Sequence, residues 1–362
     1  MNLNDIIQKI NELANRDIDE RSKIATAIDL IYDDIKSGNI NMEIGFYDET
    51  HDIDHMACSV DGSKYEIELS DVTLILARAV KVIGQKRDKK SIPSEVTEEF
   101  RIVENYYDKN IISNKSILLM LSLETKLLEK CHDCNIVFID GPIIDPPVYY
   151  EEDVEVENIL SLNKFTLYRS LVLKQLKSKE KVVMGIVKNF SHRLLIKELI
   201  NSYPTLFKAR ENYIITNIVY KYRLEKNELH KPIFLGWINW DSLIDGELLD
   251  DLKGIAKAYK EYKKNLGTLS IYSLYYQYNM TSPIVRIDVL NEAKPNVEII
   301  KYLNTWAIAN VKEVTILNKL ADDLSEIDSQ DAKKYALLFN LARKDYLSTN
   351  DRLIELMMRK PT

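Results

Sequence analysis

A short stretch at residues 135–143, NIVFIDGPI, places one carboxylate at the end of an unbroken apolar run. The run covers Ile136–Ile139, Asp140 follows it, and a Gly-Pro pair then ends the extended structure. A continuous apolar run is typical of a parallel strand that is covered on both faces. Ligands of open α/β sheets bind at the carboxyl ends of such strands. The stretch therefore predicts an α/β fold with Asp140 at a functional edge of its sheet.

A second stretch, ACSVDGSKY at residues 57–65, repeats this arrangement around Asp61. One interpretation is a tight hairpin turn, because Asp-Gly is a common turn signal and apolar and polar residues alternate after it. In the other interpretation Asp61 ends a strand beside that of Asp140, so that the two carboxylates converge. Two carboxylates about 4 Å apart repel by roughly 1–4 kcal/mol. Such a pair needs a proton or a cation, and all-oxygen sites suit Mg²⁺ or Mn²⁺.

Composition limits the class of protein. The 362 residues are 46% hydrophobic and 29% charged, with only 10 Gly and 9 Pro, which favours a large core and long helices. The net charge of −7 predicts no global attraction to nucleic acid or an anionic membrane, so any DNA-binding surface is local. No apolar stretch reaches 18 residues, and the N-terminus MNLNDIIQKI lacks a signal-peptide core. We therefore expect a cytoplasmic protein that is not inserted in a membrane.

The order of the elements predicts the fold class. Periodicity and apolar runs indicate strands within 40–84, a Lys-rich loop at 85–98, helix 115–131, strand 135–140, helix 156–178, strand 181–189 and helix 191–201. This is the layout of an RNase H-like fold, an α/β fold with a mixed five-stranded sheet and flanking helices. Further elements are expected as strands near 232–238, 268–278 and 284–290 and helices near 298–311 and 330–358.

We expect three segments along the chain. They are an N-terminal helical segment at 1–39, the RNase H-like core with insertions at 40–297, and a C-terminal helical segment at 298–362. Both terminal segments carry long apolar stripes. These stripes either contribute to a homodimer or pack on the chain's own core.

Basic residues are concentrated between Lys164 and Lys197, where nine Lys or Arg accompany one acidic residue, Glu180. Six acidic residues and no basic ones lie between Asp145 and Asn158. Two interpretations of the basic tract carry equal weight, an ordinary solvated face or a track for a phosphate backbone. The candidate DNA-binding residues are Lys174, Lys177, Lys179, Lys181 and Arg193.

Other chemistries have less support in the sequence. There is no GxxxxGK[ST], GxSxG or HExxH motif. Cys131 and Cys134 have CxxC spacing, but a structural zinc site usually needs a second pair, and none exists. We therefore prefer small residues that close a helix over a zinc or redox role.

Four motifs together resemble those of the NurA family of archaeal and bacterial DNA nucleases. They are SVDGS at 59–63, VFIDGPI at 137–143, MGIVKNFSHRLL at 184–195 and PIVRIDVL at 283–290, and they occur in the family's order. The resemblance implies an RNase H-like, Mn²⁺-dependent single-strand endonuclease and 5′→3′ exonuclease. It also implies a homodimer that docks on the hexameric HerA translocase and acts on single-stranded DNA and duplex ends in DNA end resection during recombinational repair.

The resemblance also implies roles for individual residues. Asp61, Glu124 and Asp140 match the family's metal-binding carboxylates, which would hold two Mn²⁺ or Mg²⁺ ions. Lys188 matches the lysine of the third motif and could hold the scissile phosphate. Asp288 stands where the family often has Glu. It is either a further metal ligand or a strand carboxylate paired with Arg286 or Lys294.

The helix pattern favours Glu124 over Glu129 as the helical ligand. Glu124 lies within an apolar stripe with Leu121 and Leu128, whereas Glu129 turns towards the polar side. A buried carboxylate is costly unless it is compensated, and a metal ion or a buried Lys or Arg would compensate it. Two rival functions stay open: a catalytically idle RNase H-like DNA-binding or adaptor subunit of a translocase complex, and an unrelated α/β scaffold with chance Asp-Gly motifs.

Overall fold

The computed structural model describes residues 3–69, 71–87, 90–106, 109–144, 162–190, 192–244, 249–309 and 313–343. Within these ranges the strands are β1 (Glu43–Phe46), β2 (His55–Glu68), β3 (Thr73–Arg87), β4 (Lys90–Asn105), β5 (Ile136–Asp140), β6 (Val182–Val187), β7 (Ile233–Asn239), β8 (Ser270–Gln277) and β9 (Val285–Asn291). The helices are α1 (Leu3–Ser37), α2 (Lys109–Glu129), α3 (Leu162–Ser178), α4 (Leu194–Leu199), α5 (Glu211–Lys226), α6 (Asp250–Leu266), α7 (Ile300–Trp306), α8 (Ile316–Ser325) and α9 (Ser329–Arg343).

The strands form one mixed sheet in the order β1-β7-β8-β9-β6-β5-β2-β3-β4. Its five-stranded core is β4-β3-β2-β5-β6, in which β2, β3 and β4 are antiparallel neighbours and β5 lies parallel to both β2 and β6. This arrangement confirms the predicted RNase H-like core. Antiparallel β9, β8, β7 and β1 extend the sheet beyond β6.

The described part of the Lys-rich stretch, residues 85–87 and 90–98, is strand rather than loop, so that prediction was wrong. β3 and β4 pair over their whole length, with a register shift between Ile83 and Gly84 opposite Pro93. β4 is the edge strand, and Ile92 and Val96 are exposed on it. Edge strands carry many charged residues and tolerate Pro at bulges, so their apolar pattern is weak.

Asp61 lies in the middle of β2 rather than in a turn or at a strand end. β2 pairs with β3 continuously from His55 to Glu68, which excludes the hairpin at Asp61-Gly62. Gly62 fits this position because a Cβ there would lie 2.7 Å from the Oε1 atom of Glu124 on α2. The glycine therefore marks the close approach of a helix to the strand, not a change of chain direction.

Helices cover both faces of the core sheet. One face packs on α2 and α3 through alternate strand residues such as Val137 and Ile139. The other face packs on α7 and α8 through Phe138 and Ile186. Because successive residues of a strand point to opposite faces, these contacts also fix the direction of the polar side chains between them.

The helix predictions hold in part. α1 matches the expected N-terminal helix, and Ile24, Ile28 and Ile31 of its second half are buried. The expected helix at 298–311 is shorter, and α5, α6 and α8 were not predicted. Residues 344–358 of the last expected helix lie outside the described residues, as does the whole acidic run at 145–158. In the described part of the chain, no helix combines the length and apolar character needed to cross a membrane.

Candidate metal centre

Three aspartates converge on the face of the sheet that packs on α8. Asp61 comes from β2, Asp140 from the carboxyl end of β5 and Asp322 from α8, and one oxygen of each lies within 4.8 Å of the others. They line an open cleft of about 520 Å³ together with Lys188 and Ser325. Two of the three carboxylates are therefore those predicted from the Asp-Gly motifs, and the third comes from the C-terminal segment.

Strand register brings Asp61 and Asp140 together. Val60 pairs with Ile139 where β2 and β5 run parallel, so the next residue on each strand points to the face that packs on α8. Asp140 is the last residue of β5, and Gly141 follows it with φ +118°, a conformation that glycine adopts readily. The chain can thus leave the sheet immediately after the carboxylate.

Asp140 is the more perturbed of the two acids. Its side chain is 5% exposed, and its Oδ2 atom accepts a 2.7 Å hydrogen bond from Lys188. Its Oδ1 atom is buried and has no hydrogen-bond partner among the described residues. Burial, and then the negative charge of Asp61, raise the pKa of Asp140 to about 8. The site thus holds a carboxylate whose charge is only partly compensated.

Asp61 is 8% exposed, and its Oδ2 atom accepts a 3.1 Å hydrogen bond from the hydroxyl of Ser325 on α8. Burial raises the pKa of Asp61 to about 6, although the positive charge of Lys188 and the Ser325 hydrogen bond oppose that rise. Helix α8 therefore supplies Asp322 and also orients Asp61 through the hydroxyl of Ser325.

Lys188 lies between two carboxylates. Its Nζ atom is 2.7 Å from Asp140 Oδ2 and 2.5 Å from the Oε2 atom of Glu313, which is 2% exposed. Burial works against its charge, but the carboxylates of Asp140 and Glu313 raise the pKa of Lys188 to about 12. The lysine therefore stays charged at neutral pH and faces the cleft.

The residues of this centre fit a hard divalent cation. Buried charges are costly unless they are paired or bind metal, and carboxylate oxygens suit Mn²⁺ and Mg²⁺. The unpartnered Oδ1 atom of Asp140 is available as a ligand. The residues that could hold the ion are Asp61, Asp140 and Asp322.

Glu124 is buried, with 3% exposure, but it lies outside this group of three. It approaches Gly62 from α2, whereas Asp61 points to the face of α8. Its Oε2 atom lies 3.6 Å from Nη1 of the buried Arg169. The structure thus shows the alternative compensation by an arginine, and a metal-ligand role for Glu124 stays a prediction.

Glu129 is on the outer side of α2, where its Oε2 atom accepts a hydrogen bond from the hydroxyl of Tyr168.

Asp288 is not brought to the centre. It pairs in the sheet with Gly185, and Gly185 pairs with Ile139, whose side chain faces α2. The Asp288 carboxylate accepts hydrogen bonds of 2.8 and 3.0 Å from Arg286. Asp288 therefore lies on the face opposite Asp140, and the pairing with Arg286 is the arrangement that the structure contains.

Lys181 of the basic tract lies away from the carboxylates. Lys181 directly precedes β6, five residues before Ile186, which pairs with Asp140. At roughly 3.3 Å per residue, this separates Lys181 from the level of Asp140 by about 16 Å along the strand. Lys174 donates to the carbonyl of Asn265, and Arg193 forms an ion pair with Asp251. DNA contact by Lys174, Lys177, Lys179, Lys181 and Arg193 stays a prediction.

Sequence reasoning missed the contribution of α8 and the segment before it. Thr315 caps α8 by accepting a hydrogen bond from the backbone N–H of Asn318. Asn318, Asp322 and Ser325 then follow at helical spacing, on the side that packs on the sheet. This polar stripe behind a threonine cap was the available signal.

The comparisons with known proteins agree with this architecture. A sequence model described as the NurA domain matches residues 55–338. Comparison with curated protein sequences finds no match. The fold resembles that of the NurA nuclease from Sulfolobus solfataricus, with a TM-score of 0.61 and 14% identity over 96% of this chain and 99% of that chain.

Two further crystal structures are similar at the level of the fold. One is of NurA, with a TM-score of 0.57 and 10% identity over 96% of this chain and 99% of that one. The other is of NurA with manganese, with a TM-score of 0.51 and 10% identity over 92% of this chain and 98% of that one. Because the NurA domain covers most of the chain, this protein belongs to the NurA family.

Proposed function

We propose that this protein is a metal-dependent deoxyribonuclease that hydrolyses phosphodiester bonds at the centre formed by Asp61, Asp140 and Asp322. The observation that carries the proposal is the convergence of these three carboxylates in a chain of the NurA family. The manganese-bound NurA among the structural neighbours supports Mn²⁺ as the ion.

Different residues of the site would bind the metal, orient a metal ligand and bind the phosphate. The three aspartates hold the ion, and Ser325 orients Asp61. Lys188 presents a permanent positive charge at the cleft, where it binds the scissile phosphate. Divalent ions held by these carboxylates would supply the activation of water and the stabilisation of the leaving oxygen that this class of reaction needs.

Membership of the NurA family supports a more specific proposal for the activity and the partner. We propose single-strand endonuclease and 5′→3′ exonuclease activity on single-stranded DNA and duplex ends. We also propose a homodimer that works with a HerA-type hexameric ATPase in DNA end resection. The openness of the cleft supports a polymeric substrate, since a strand can cross it without threading through a closed cavity.

The test is incubation of the purified protein with DNA, alone and with its translocase, in Mn²⁺, Mg²⁺ or EDTA. Circular single-stranded DNA reports endonuclease activity, and linear DNA labelled at either end reports polarity. We expect cleavage with Mn²⁺ and none with EDTA. Asp140→Asn, purified in the same way, controls for a contaminating nuclease. If the wild type leaves every substrate intact with both metals, the idle-subunit alternative is correct.

A further inference from the structure

Glu313 is a buried carboxylate that the proposed reaction does not use. It lies just before α8 and is 2% exposed, and Lys188 Nζ lies 2.5 Å from its Oε2 atom. The same ammonium lies 2.7 Å from Asp140 Oδ2. Lys188 thus forms ion pairs with both Asp140, a candidate metal ligand, and Glu313.

This sharing has a consequence for metal binding. Before an ion arrives, the Lys188 ammonium provides positive charge beside Asp140. A divalent cation on Asp140 then repels the ammonium, and the repulsion is strong over a few ångström in a partly buried site. Without a second partner, Lys188 would either leave the cleft or compete with the ion for Asp140.

We propose that Glu313 is a positioning residue that takes over Lys188 when a divalent ion occupies Asp140, and so keeps the lysine at the cleft. The inference rests on the proposed function, because it assumes that Asp140 binds metal. Glu313, a residue of the C-terminal segment, then offsets the positive charge of Lys188 while Asp140 offsets that of the metal ion. Lys319, which also lies within electrostatic range of Glu313, is already paired with Asp323 on α8.

Mn²⁺ affinity, measured by calorimetry or by the EPR signal of free Mn²⁺, tests the proposal without relying on activity. In Glu313→Gln the ammonium loses the ion-pair partner that is not a candidate metal ligand and keeps its ion pair with Asp140, so we expect the dissociation constant for Mn²⁺ to rise at least tenfold. In Lys188→Met the competitor is gone, and we expect tighter Mn²⁺ binding than in the wild type. The double variant Lys319→Gln/Asp323→Asn is the matched control, because it removes a whole ion pair at the surface of α8, and its affinity should stay within twofold of the wild type.

The double variant Glu313→Gln/Lys188→Met separates positioning from direct ligation. If Glu313 acts through Lys188, the double variant binds Mn²⁺ within about threefold of Lys188→Met. If Glu313 binds the ion itself, the double variant binds at least tenfold more weakly than Lys188→Met, which overturns the proposal. This comparison stands even if Glu313→Gln alone does not fold, because the double variant removes both members of the ion pair.

The two levels of inference fail in different ways. A wild type that neither binds Mn²⁺ nor cleaves DNA removes the proposed function and this inference with it. A wild type that binds Mn²⁺ and cleaves DNA, with unchanged affinity in Glu313→Gln, removes only the role of Glu313.

Discussion

The hydroxyl of Ser325 donates a 3.1 Å hydrogen bond to the carboxylate of Asp61, a residue 264 positions earlier in the chain. The hydroxyl of Ser63 in turn donates a hydrogen bond to the backbone carbonyl of Ser325. Two hydrogen bonds therefore connect the end of α8 to β2 next to the carboxylates. The end of α8 is therefore part of the candidate centre and not a separate appendage. Predictions about the centre must include this helix.

Asp322→Asn should weaken Mn²⁺ binding at least tenfold and reduce DNA cleavage at least a hundredfold, because it removes one of three converging charges. Asp61→Asn and Asp140→Asn should each abolish cleavage for the same reason. Isothermal calorimetry and a cleavage assay on labelled single-stranded DNA provide the measurements. The matched control is Asp323→Asn, since Asp323 is the next residue on α8 and its side chain is 51% exposed. Equal losses in both variants would show a general effect of charge.

Metal-free protein should lose stability as the pH rises from about 4 to about 8. The folded state raises the pKa of Asp140 to about 8, mainly through burial, so it holds a proton that the unfolded chain releases near pH 4. The resulting stabilisation is complete below the unfolded pKa and is lost as the pH rises through the folded one.

Asp140→Asn should flatten this pH dependence. Near pH 8 without metal, its free energy of unfolding should exceed that of the wild type by up to roughly 5 kcal/mol, and the gain should vanish near pH 4. Denaturant unfolding in EDTA at several pH values measures both. Parallel pH profiles for the two proteins would show that Asp140 is not the group responsible.

The sequence identified the parts of the centre that lie in local motifs. Asp140 ends an apolar strand, Lys188 follows one, and Asp61 follows an apolar run within β2, so all three stand beside a pattern that is visible in a single sequence. Asp322 and Glu313 carry no such local pattern, because their role depends on α8 packing against β2 across most of the chain. Asp288 illustrates the converse, since its motif is recognisable but the strand register, unknown from sequence, turns it to the other face.

The fold shows the same division between local and long-range information. Within the five-stranded core, β5 and β6 were predictable because parallel buried strands have a strong apolar signal. The edge strand β4 was not predictable, because an edge strand carries charged residues that interrupt its apolar pattern.

Glu124→Gln should eliminate cleavage and weaken Mn²⁺ binding if Glu124 completes the metal site, whereas Glu129→Gln should do neither. The structure adds a competing outcome, because Glu124 lies 3.6 Å from the buried Arg169. Breaking a buried ion pair typically costs about 3–5 kcal/mol. Thermal unfolding together with Mn²⁺ titration separates the two roles. Reduced stability with unchanged Mn²⁺ affinity would assign Glu124 to the arginine alone.

Charge reversal in the basic tract tests the DNA-binding prediction. Lys179→Glu/Lys181→Glu should weaken single-stranded DNA binding and reduce the slope of log affinity against log salt by about 0.7 for each phosphate that the protein no longer neutralises. Fluorescence anisotropy at several salt concentrations measures the affinity and the slope. The measurement uses proteins that also carry Asp140→Asn, which should prevent cleavage of the DNA. Lys253→Glu/Lys264→Glu on α6 is the control, as both side chains are 65% exposed. An unchanged slope would leave the tract as a solvated face.

The first half of α1 should form part of a homodimer interface. Its apolar side chains are exposed, whereas those of its second half pack on the chain's own core; the exposed residues are Leu3, Ile6, Ile7, Ile10 and Leu13. They recur at helical spacing and form one stripe. Most of the stability of a helix in a protein comes from packing of its apolar face, so a partner that covers the stripe would stabilise this part of α1.

Ile7→Glu/Ile10→Glu places two charges in that stripe and should convert a dimer into a monomer at micromolar concentration. The side chains are 47% and 57% exposed, so the change should leave the fold of the monomer intact. Gln8→Glu/Asn15→Glu adds the same charge on the polar side of the helix and should preserve the dimer. Light scattering coupled to size-exclusion chromatography measures the mass of each protein. A wild type that is monomeric at this concentration, or a double variant that stays dimeric, would show that α1 does not mediate self-association.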